Sequence, residues 1–210
     1  RGELLLSAIV PFVLGYKGSA MIHEMLLILG ARFNGRPRHI PAALDRNGTV
    51  VHALLSGTYA GGSMDEVMAR DYLAGRYWGA MDSNEEGFWN FETMNLKGEQ
   101  KDCAVYLSFW LFSPRSLVNL LLEPNMPRLD LEFAADDKLA VYVNGNLLDN
   151  AVKRQDNPAL PQRIEGIPLE KGWNHVLLKV GQLWGGWNGR FRFTATDPAY
   201  MRQLESVIMQ

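Results

Sequence analysis

The chain has 210 residues, of which 47% are hydrophobic and 21% are charged, and its net charge is -2. This balance is that of an ordinary globular domain, and it gives no electrostatic reason to expect nucleic acid or an anionic membrane as a partner. The single cysteine, Cys103, excludes an internal disulfide and a cysteine-rich zinc site. The apolar run Leu4–Leu14 is too short to cross a bilayer and contains Pro11, so no membrane span is predicted.

Residues 1–35 are predicted to form a helical hairpin. The first helix is apolar on nearly all sides, and the second, from Ala20 to Phe33, has one apolar face and Ser19 as a cap. Two short helices cannot cover this much apolar surface between them, so either they lie against the rest of the chain or they pack on a missing upstream helical domain or a second chain. We favour the second alternative, because a chain that enters an apolar run directly after Arg1 resembles a fragment or subunit of a longer protein.

Residues 36–48 are basic and proline-rich at their start, without periodicity, and are predicted to be a linker. Strands are predicted at Val50–Leu55 and Phe88–Phe91. The longest uninterrupted apolar run, Val105–Phe112, is typical of a central strand. Trp89 and Trp110 are assigned to the core.

The segment Leu129–Lys179 carries the clearest strand signals. Apolar and polar residues alternate over Leu129–Ala134 and again over Leu139–Val143, and the Asp-rich stretch between them is typical of a turn. We therefore predict that 129–135 and 139–143 pair as antiparallel strands. Asn144-Gly145 then indicates a tight hairpin, because both residues accept positive φ. The turn Gly172-Trp173-Asn174 precedes a further strand at Val176–Val180.

The C-terminal part is predicted to be a strand followed by a helix. Arg190–Thr194 alternates like a last strand, and Asp197-Pro198 is an N-cap followed by proline at the first helical position. The helix is predicted over 198–210, with Met201, Leu204 and Ile208 in one apolar stripe. The fold class is therefore mainly β, with an antiparallel sandwich over 49–197, an N-terminal helical hairpin and a short C-terminal helix.

The segments 135–145, 168–174 and 177–180 together resemble the galactose-binding-like jelly roll. The closest pattern is the sugar-binding accessory sandwich of family-two glycoside hydrolases, and bacterial carbohydrate-binding modules share the fold. The resemblance covers Val50–Thr196 and is sharpest over Leu129–Val180. It implies a jelly-roll fold, but it does not imply a catalytic group on this chain. The N-terminal helices are also similar to the last hairpin of an α/α toroid that precedes a sandwich in some polysaccharide lyases.

No catalytic residue is assigned, and the chain alone is not expected to be an enzyme. Asp136 and Asp137 invite a catalytic interpretation, but adjacent residues at a strand end are expected to point apart and cannot oppose each other as acid and base. We expect them to form and brace a turn, with a calcium ion as the alternative and no other cofactor. The four histidines lack zinc-ligand spacing, so no metal site is predicted from them.

The candidate ligand-binding residues are Trp184, Trp187 and Asn188, which lie in a glycine-rich turn. Tryptophan rings can stack on the C–H face of a sugar, while an amide binds its hydroxyls. The alternative is that one or both tryptophans cover the end of the core or pack on a neighbouring domain.

These observations predict an accessory, carbohydrate-binding-like module of a larger polysaccharide-processing protein, such as a glycoside hydrolase or polysaccharide lyase. The rival is a structural subunit or domain that braces a helical, α/α-toroid-like catalytic domain and binds no sugar. An extracytoplasmic location is favoured over a cytoplasmic one.

Overall fold

The computed structural model describes residues 42–60, 79–94, 96, 102–118, 126–148, 153–154, 161–183 and 185–208. The chain divides into two compact units, Arg1–His39 and Ile40–Gln210. All described residues belong to the second unit, so the predicted helical hairpin at 1–35 lies outside them. Within the described ranges, no helix has the length and apolar character needed to cross a membrane.

The described part of the chain is mainly β. Its strands are β1 His52–Leu55, β2 Tyr59–Ala60, β3 Gly79–Asp82, β4 Phe88–Asn90, β5 Cys103–Ser113, β6 Leu129–Asp136, β7 Lys138–Val143, β8 Asn146–Leu147, β9 Lys153–Arg154, β10 Gln162–Ile164, β11 Gly172–Gln182, β12 Asn188–Ala195 and β13 Glu205–Val207. One short helix, α1 Pro198–Gln203, lies between the last two strands.

A nine-stranded antiparallel sheet, here called the large sheet, has the main order β3-β1-β5-β11-β7-β8. Its centre is the pair β5 and β11, which are in register from Cys103 with Gln182 to Ser113 with Gly172. The short strands β2 and β13 also pair with β5, and β9 pairs with β7. The predicted central strand and the strand after Gly172 are thus both confirmed, and each is longer than the sequence pattern indicated.

The second sheet, here called the small sheet, has the order β10-β6-β12-β4 and is also antiparallel. Alternation along β12 places Phe191 and Phe193 in the core and leaves Arg190 and Arg192 exposed on the opposite face. We call this exposed side the outer face of the small sheet.

The core lies between the two sheets. It is formed by apolar residues of β5, β7 and β11 on one side and of β4, β6 and β12 on the other, including the fully buried rings of Trp89, Phe109, Phe191 and Phe193. Phe109 and Phe193 meet edge to face across the core, with ring centroids 6.1 Å apart.

The predicted pairing of 129–135 with 139–143 is wrong, because the two strands belong to different sheets. β6 pairs with β10 and β12, whereas β7 pairs with β11, β8 and β9. Only Asp137 separates β6 from β7, and a tight hairpin needs two loop residues. The Asp-rich stretch is therefore a corner where the chain crosses from the small sheet to the large sheet.

The Asn144-Gly145 hairpin is confirmed. β7 and β8 pair with Val143 opposite Asn146, and the two loop residues have φ of 52° and 81°. The side chain of Asn144 also reaches the neighbouring strand, where its Oδ1 accepts from the backbone N–H of His175 at 3.0 Å.

The C-terminal helix begins as predicted but ends early. Asp197 Oδ1 accepts from the Ala199 N–H at 2.8 Å, with Pro198 at the first helical position. The helix ends at Gln203, and Glu205–Val207 then pairs with Phe112–Trp110 as β13. The spacing of Met201, Leu204 and Ile208 had indicated one helical stripe, but sheet pairing at the edge of β5 takes over after Leu204.

Candidate functional site

Polar side chains collect at one end of the outer face of the small sheet. In the register of β4, β12 and β6, Asn188 lies opposite both Asn90 and Asp136. The alternate residues of these strands, Trp89, Ala135 and Gly189, are buried on the core side. Two carboxamides and a carboxylate therefore stand side by side on the outer face, and we call this place the polar end.

Asp137 adjoins the polar end and braces the loop that follows β11. Its Oδ2 accepts from the Leu183 N–H at 2.6 Å, and its own N–H donates to the Gly181 carbonyl at 3.0 Å. This is the loop-bracing role expected for Asp137 from the sequence.

Asp136 and Asp137 are joined by a cis peptide bond, and the carboxyl group of Asp137 acts on that of Asp136. Burial, then the negative charges of Asp137 and Glu92, raise the pKa of the Asp136 carboxyl above its ordinary value. The polar end thus concentrates negative charge, which favours the binding of hydroxyl groups or of a cation.

The loop between β11 and β12 folds over the polar end through two glycines. Gly185 has a φ of 91°, which residues with a side chain rarely adopt. A Cβ atom on Gly186 would lie 3.2 Å from Asp136 Oδ2 and 3.6 Å from Asn188 Nδ2. Because Gly186 has no side chain, it does not crowd these two polar groups.

Of the two predicted ligand-binding residues that the structure describes, Asn188 alone lies where a ligand could reach it. Asn188 is half-buried at the polar end, whereas Trp187 is fully buried and its ring lies 5.4 Å from that of Phe91. The Trp187 ring therefore covers the end of the core, which was the alternative considered for it, and it is not placed to stack on a sugar. Trp184 lies outside the described residues.

Three buried polar atoms near this end have no hydrogen-bond partner among the described residues. They are Asn90 Oδ1, Gln182 Oε1 and Trp187 Nε1, whereas the Gln182 Nε2 donates to the Gly185 carbonyl at 2.9 Å. Buried polar groups are ordinarily paired, and an unpaired one costs about 1–3 kcal/mol. The unpaired acceptor on Asn90 is the most informative, because Asn90 belongs to the row that contains Asp136.

A search of the described ranges finds no group of three or more His, Cys, Asp or Glu side chains placed to hold a metal ion. A metal at the polar end would consequently need amide or backbone oxygens besides Asp136 and Asp137. Such an oxygen-only donor set suits a hard cation such as Ca²⁺ and not zinc.

The sequence analysis missed Asn90, Glu92, Phe88 and Arg190 as neighbours of the site. The signal for Phe88 and Asn90 is the alternation around Trp89, since both must lie opposite a core tryptophan. What the sequence could not supply is the pairing of β4 with β12, which joins residues almost 100 positions apart.

The outer face of the large sheet carries a second cluster of side chains. Trp110, assigned to the core from the sequence, is only partly buried there, and its ring centroid lies 5.2 Å from that of His175. The assignment was wrong because β5 is apolar on both faces, so alternation is hidden. Phe112 and Trp173 adjoin them, with ring centroids 5.3 Å apart.

His175 and Ser108 form a buried hydrogen-bonded pair on the same face, with Nε2 and Oγ 2.7 Å apart. Burial lowers the pKa of His175 to about 4, so the imidazole is neutral near pH 7. The pair is enclosed, with His175 only 3% exposed and Ser108 9% exposed. It is therefore not assigned as a nucleophile and base.

No protein-family profile and no curated protein matches the chain. Three solved structures illustrate its structural neighbours. A family 35 carbohydrate-binding module from an environmental isolate has 14% identity and a TM-score of 0.34, over 55% of this chain and 78% of that chain. The PA14 domain of the antifreeze protein MpAFP has 11% identity and a TM-score of 0.42, over 86% and 98%. A β-glucosidase from Kluyveromyces marxianus, in complex with glucose, has 12% identity and a TM-score of 0.38, over 87% and 22%.

These neighbours thus include a carbohydrate-binding module and a glycoside hydrolase. At such identities and TM-scores the likenesses assign neither a family nor a ligand to this chain.

Proposed function

We propose that the chain is an accessory, carbohydrate-binding-like β-sandwich module of a larger polysaccharide-processing protein, and that its ligand binds at the polar end. The observation that carries the proposal is the row of Asn90, Asn188 and Asp136 on three adjacent strands, with Gly186, which has no side chain, next to Asp136 and Asn188. A sugar hydroxyl is both donor and acceptor, and carboxamides with a carboxylate supply both kinds of partner. No catalytic group is proposed.

Trp184 remains in the proposal as the ring that stacks on the sugar, because it belongs to the same loop as Gly185 and Gly186. Trp187 is not retained, since its ring is part of the core. We extend the proposal to the fold and location: the two antiparallel sheets form a galactose-binding-like jelly roll, the N-terminal segment is a helical hairpin, and the protein is extracytoplasmic.

A calcium ion at Asp136 and Asp137 is proposed as a part of this site. The adjacent carboxyl groups of Asp136 and Asp137 and the unpaired Oδ1 of Asn90 are oxygen donors of the kind that Ca²⁺ takes. Glu92 adds negative charge nearby. Bound calcium would remove the repulsion between the carboxylates and could itself bind sugar hydroxyls.

The calcium proposal is tested by thermal unfolding of the full chain with a chelator, with Ca²⁺ and with Mg²⁺. We expect Ca²⁺ to raise the Tm of the wild type, because a ligand that binds only the folded state stabilises it. The Tm of Asp136→Asn should not change when Ca²⁺ is added. An equal Tm with chelator and with Ca²⁺ would remove the ion from the proposal without deciding whether sugars bind.

The binding proposal is tested by calorimetry of the full chain with glucose, galactose, mannose and xylose, each with calcium and with a chelator. At least one sugar should bind, and Asn188→Ala should weaken it about tenfold or more, since a buried hydrogen bond to a ligand is lost. The matched control is Asn146→Ala, which changes an exposed asparagine of β8 and should leave the Kd unchanged. If no sugar binds the wild type in either condition, the carbohydrate-binding proposal is wrong.

The rival proposal is a structural subunit or domain that braces a helical catalytic domain, supplied by an upstream segment or a second chain. The half-buried aromatic row of Trp110, Phe112 and Trp173 favours it, because aromatic side chains are enriched where protein surfaces meet. A Trp173→Ser variant separates the two proposals. If the chain is a structural subunit, the variant should associate more weakly with the helical domain. If the chain is a carbohydrate-binding module, the variant should bind sugar as the wild type does.

A further inference from the structure

We propose that Phe88 and Arg190 form a second sugar subsite next to the polar end, so that the ligand is an oligosaccharide and not a single sugar. This inference rests on the proposed carbohydrate-binding function, and it adds a subsite that lies outside the loop residues considered so far.

The register of the small sheet places the two residues side by side. Arg190 lies opposite Phe88 on β4 and opposite Ala134 on β6. These three positions belong to the same strands and the same outer face as Asn90, Asn188 and Asp136, two residues further along. Two residues of a strand span about 7 Å, which is comparable to the length that one pyranose adds to a glycan. A chain bound at the polar end can thus continue onto this row.

Among the described residues, Arg190 is the arginine of this face for which no hydrogen bond or ion pair to the protein is found. Arg128 and Arg163 bind the buried carboxylate of Asp130, at 2.9 Å and 2.5 Å, and Arg192 donates to the Asn47 carbonyl at 3.1 Å. No hydrogen bond or ion pair joins the exposed Arg190 guanidinium to another residue in the described part of the chain.

The chemistry of the row suits a sugar ring. Phe88 is half-buried, so part of its ring is available to the C–H face of a pyranose, and the guanidinium of Arg190 can donate to two hydroxyl oxygens at once. Ala134, on the other side of Arg190, is small and leaves room above the sheet. Because all three residues lie on paired strands, the subsite is formed before the ligand binds, which lowers the entropic cost of binding.

The test compares each monosaccharide with its β-1,4-linked dimer. Calorimetry of the full chain is carried out with glucose and cellobiose, galactose and galactobiose, mannose and mannobiose, and xylose and xylobiose. For the sugar that binds, the dimer should bind about tenfold more tightly than the monomer, the gain expected of one ring contact with a hydrogen bond. Phe88→Leu, which keeps the sheet packed, should abolish that gain and leave the Kd of the monosaccharide unchanged. Arg190→Ala should reduce the gain several-fold.

The control variant is Phe112→Ala, which removes a half-buried aromatic ring from the outer face of the other sheet and should change neither constant. A dimer that binds no better than its monomer, or a gain that survives both Phe88→Leu and Arg190→Ala, overturns the subsite while monosaccharide binding still supports the polar end. A wild-type chain that binds none of the eight sugars overturns both.

Discussion

The two sheets of the sandwich differ in what their outer faces carry. On the large sheet, Tyr106, Tyr142 and Leu177 form a second apolar cluster outside the main core, and they are only 1%, 2% and 1% exposed. On the small sheet, the outer face carries charged and amide side chains, and Arg190 and Arg192 are exposed. The large sheet is thus buried on both faces, and the small sheet is buried on one face only.

This difference separates scaffold from surface. A sheet buried on both faces contributes packing on each side, so its substitutions act mainly on stability. A face that is polar and exposed tolerates substitution, and it is free to meet a ligand. The polar end and the proposed subsite both lie on that face.

The largest expected effect comes from shortening a buried side chain on the outer face of the large sheet. Leu177→Ala should lower the free energy of unfolding by about 3 kcal/mol, as for a core leucine, because the methyl groups that it removes are buried. Arg190→Ala, its counterpart on the small sheet, should change stability by less than about 0.5 kcal/mol. Urea unfolding measures both values. A loss below about 1 kcal/mol for Leu177→Ala would mean that the two outer faces are equivalent.

His175 should make the large sheet sensitive to acid. Its pKa is about 4 in the folded chain and 6.5 in the unfolded chain, so the unfolded chain binds the proton first as the pH falls. The stability that neutral His175 contributes is fully present above pH 6.5. It is lost progressively as the pH falls to 4, where the loss in the free energy of unfolding reaches about 3 kcal/mol.

Urea midpoints measured between pH 7 and 4 give the slope of stability against pH. His175→Gln should flatten it, because glutamine does not titrate. An unchanged slope in the variant would show that another group is responsible.

The smallest expected effect distinguishes the two adjacent aspartates at the corner between the sheets. Asp137→Asn should lower the free energy of unfolding by about 1–2 kcal/mol, because it weakens the acceptor of the Leu183 N–H. Asp136→Asn should change it by less than about 0.5 kcal/mol, since it removes a carboxylate that its neighbours repel. Thermal unfolding in the presence of a chelator compares them. Equal losses would contradict the assignment of bracing to one residue and of ligand binding to the other.

Much of the strand content was predictable, whereas the assignment of strands to sheets was not. The alternation at Leu129–Ala134 and at Leu139–Val143, the Asn144-Gly145 hairpin and the Asp197-Pro198 helix start are local signals, and the structure contains all of them. The partner of each strand depends on contacts across the whole chain. The sequence pattern left three residues between the strands at 129–135 and 139–143, enough for a hairpin, whereas the structure leaves only Asp137 between β6 and β7.

The candidate site was predictable only in pieces. The sequence singled out Asp136 and Asp137 for one reason and Asn188 for another, and nothing in their spacing indicated that they would be neighbours. The register of β12 with β6 brings them together. For Trp187 the sequence left both ligand binding and burial at the end of the core open, because a glycine-rich turn predicts exposure, and the structure buries the indole ring.

The pairing of β13 with β5 has a consequence for the order in which the chain folds. β5 accepts partners from near both ends of the described chain: β1 at Leu107–Ser108, and β13 at Trp110–Phe112. During synthesis the strand at Glu205–Val207 emerges long after β5, so this stretch of the β5 edge stays open until then. Pairing between segments so distant in sequence is slow, and an open apolar strand edge is prone to pair with other chains. The nascent chain therefore depends on Glu205–Val207 to cover this stretch of β5, and deleting that strand would favour aggregation during synthesis.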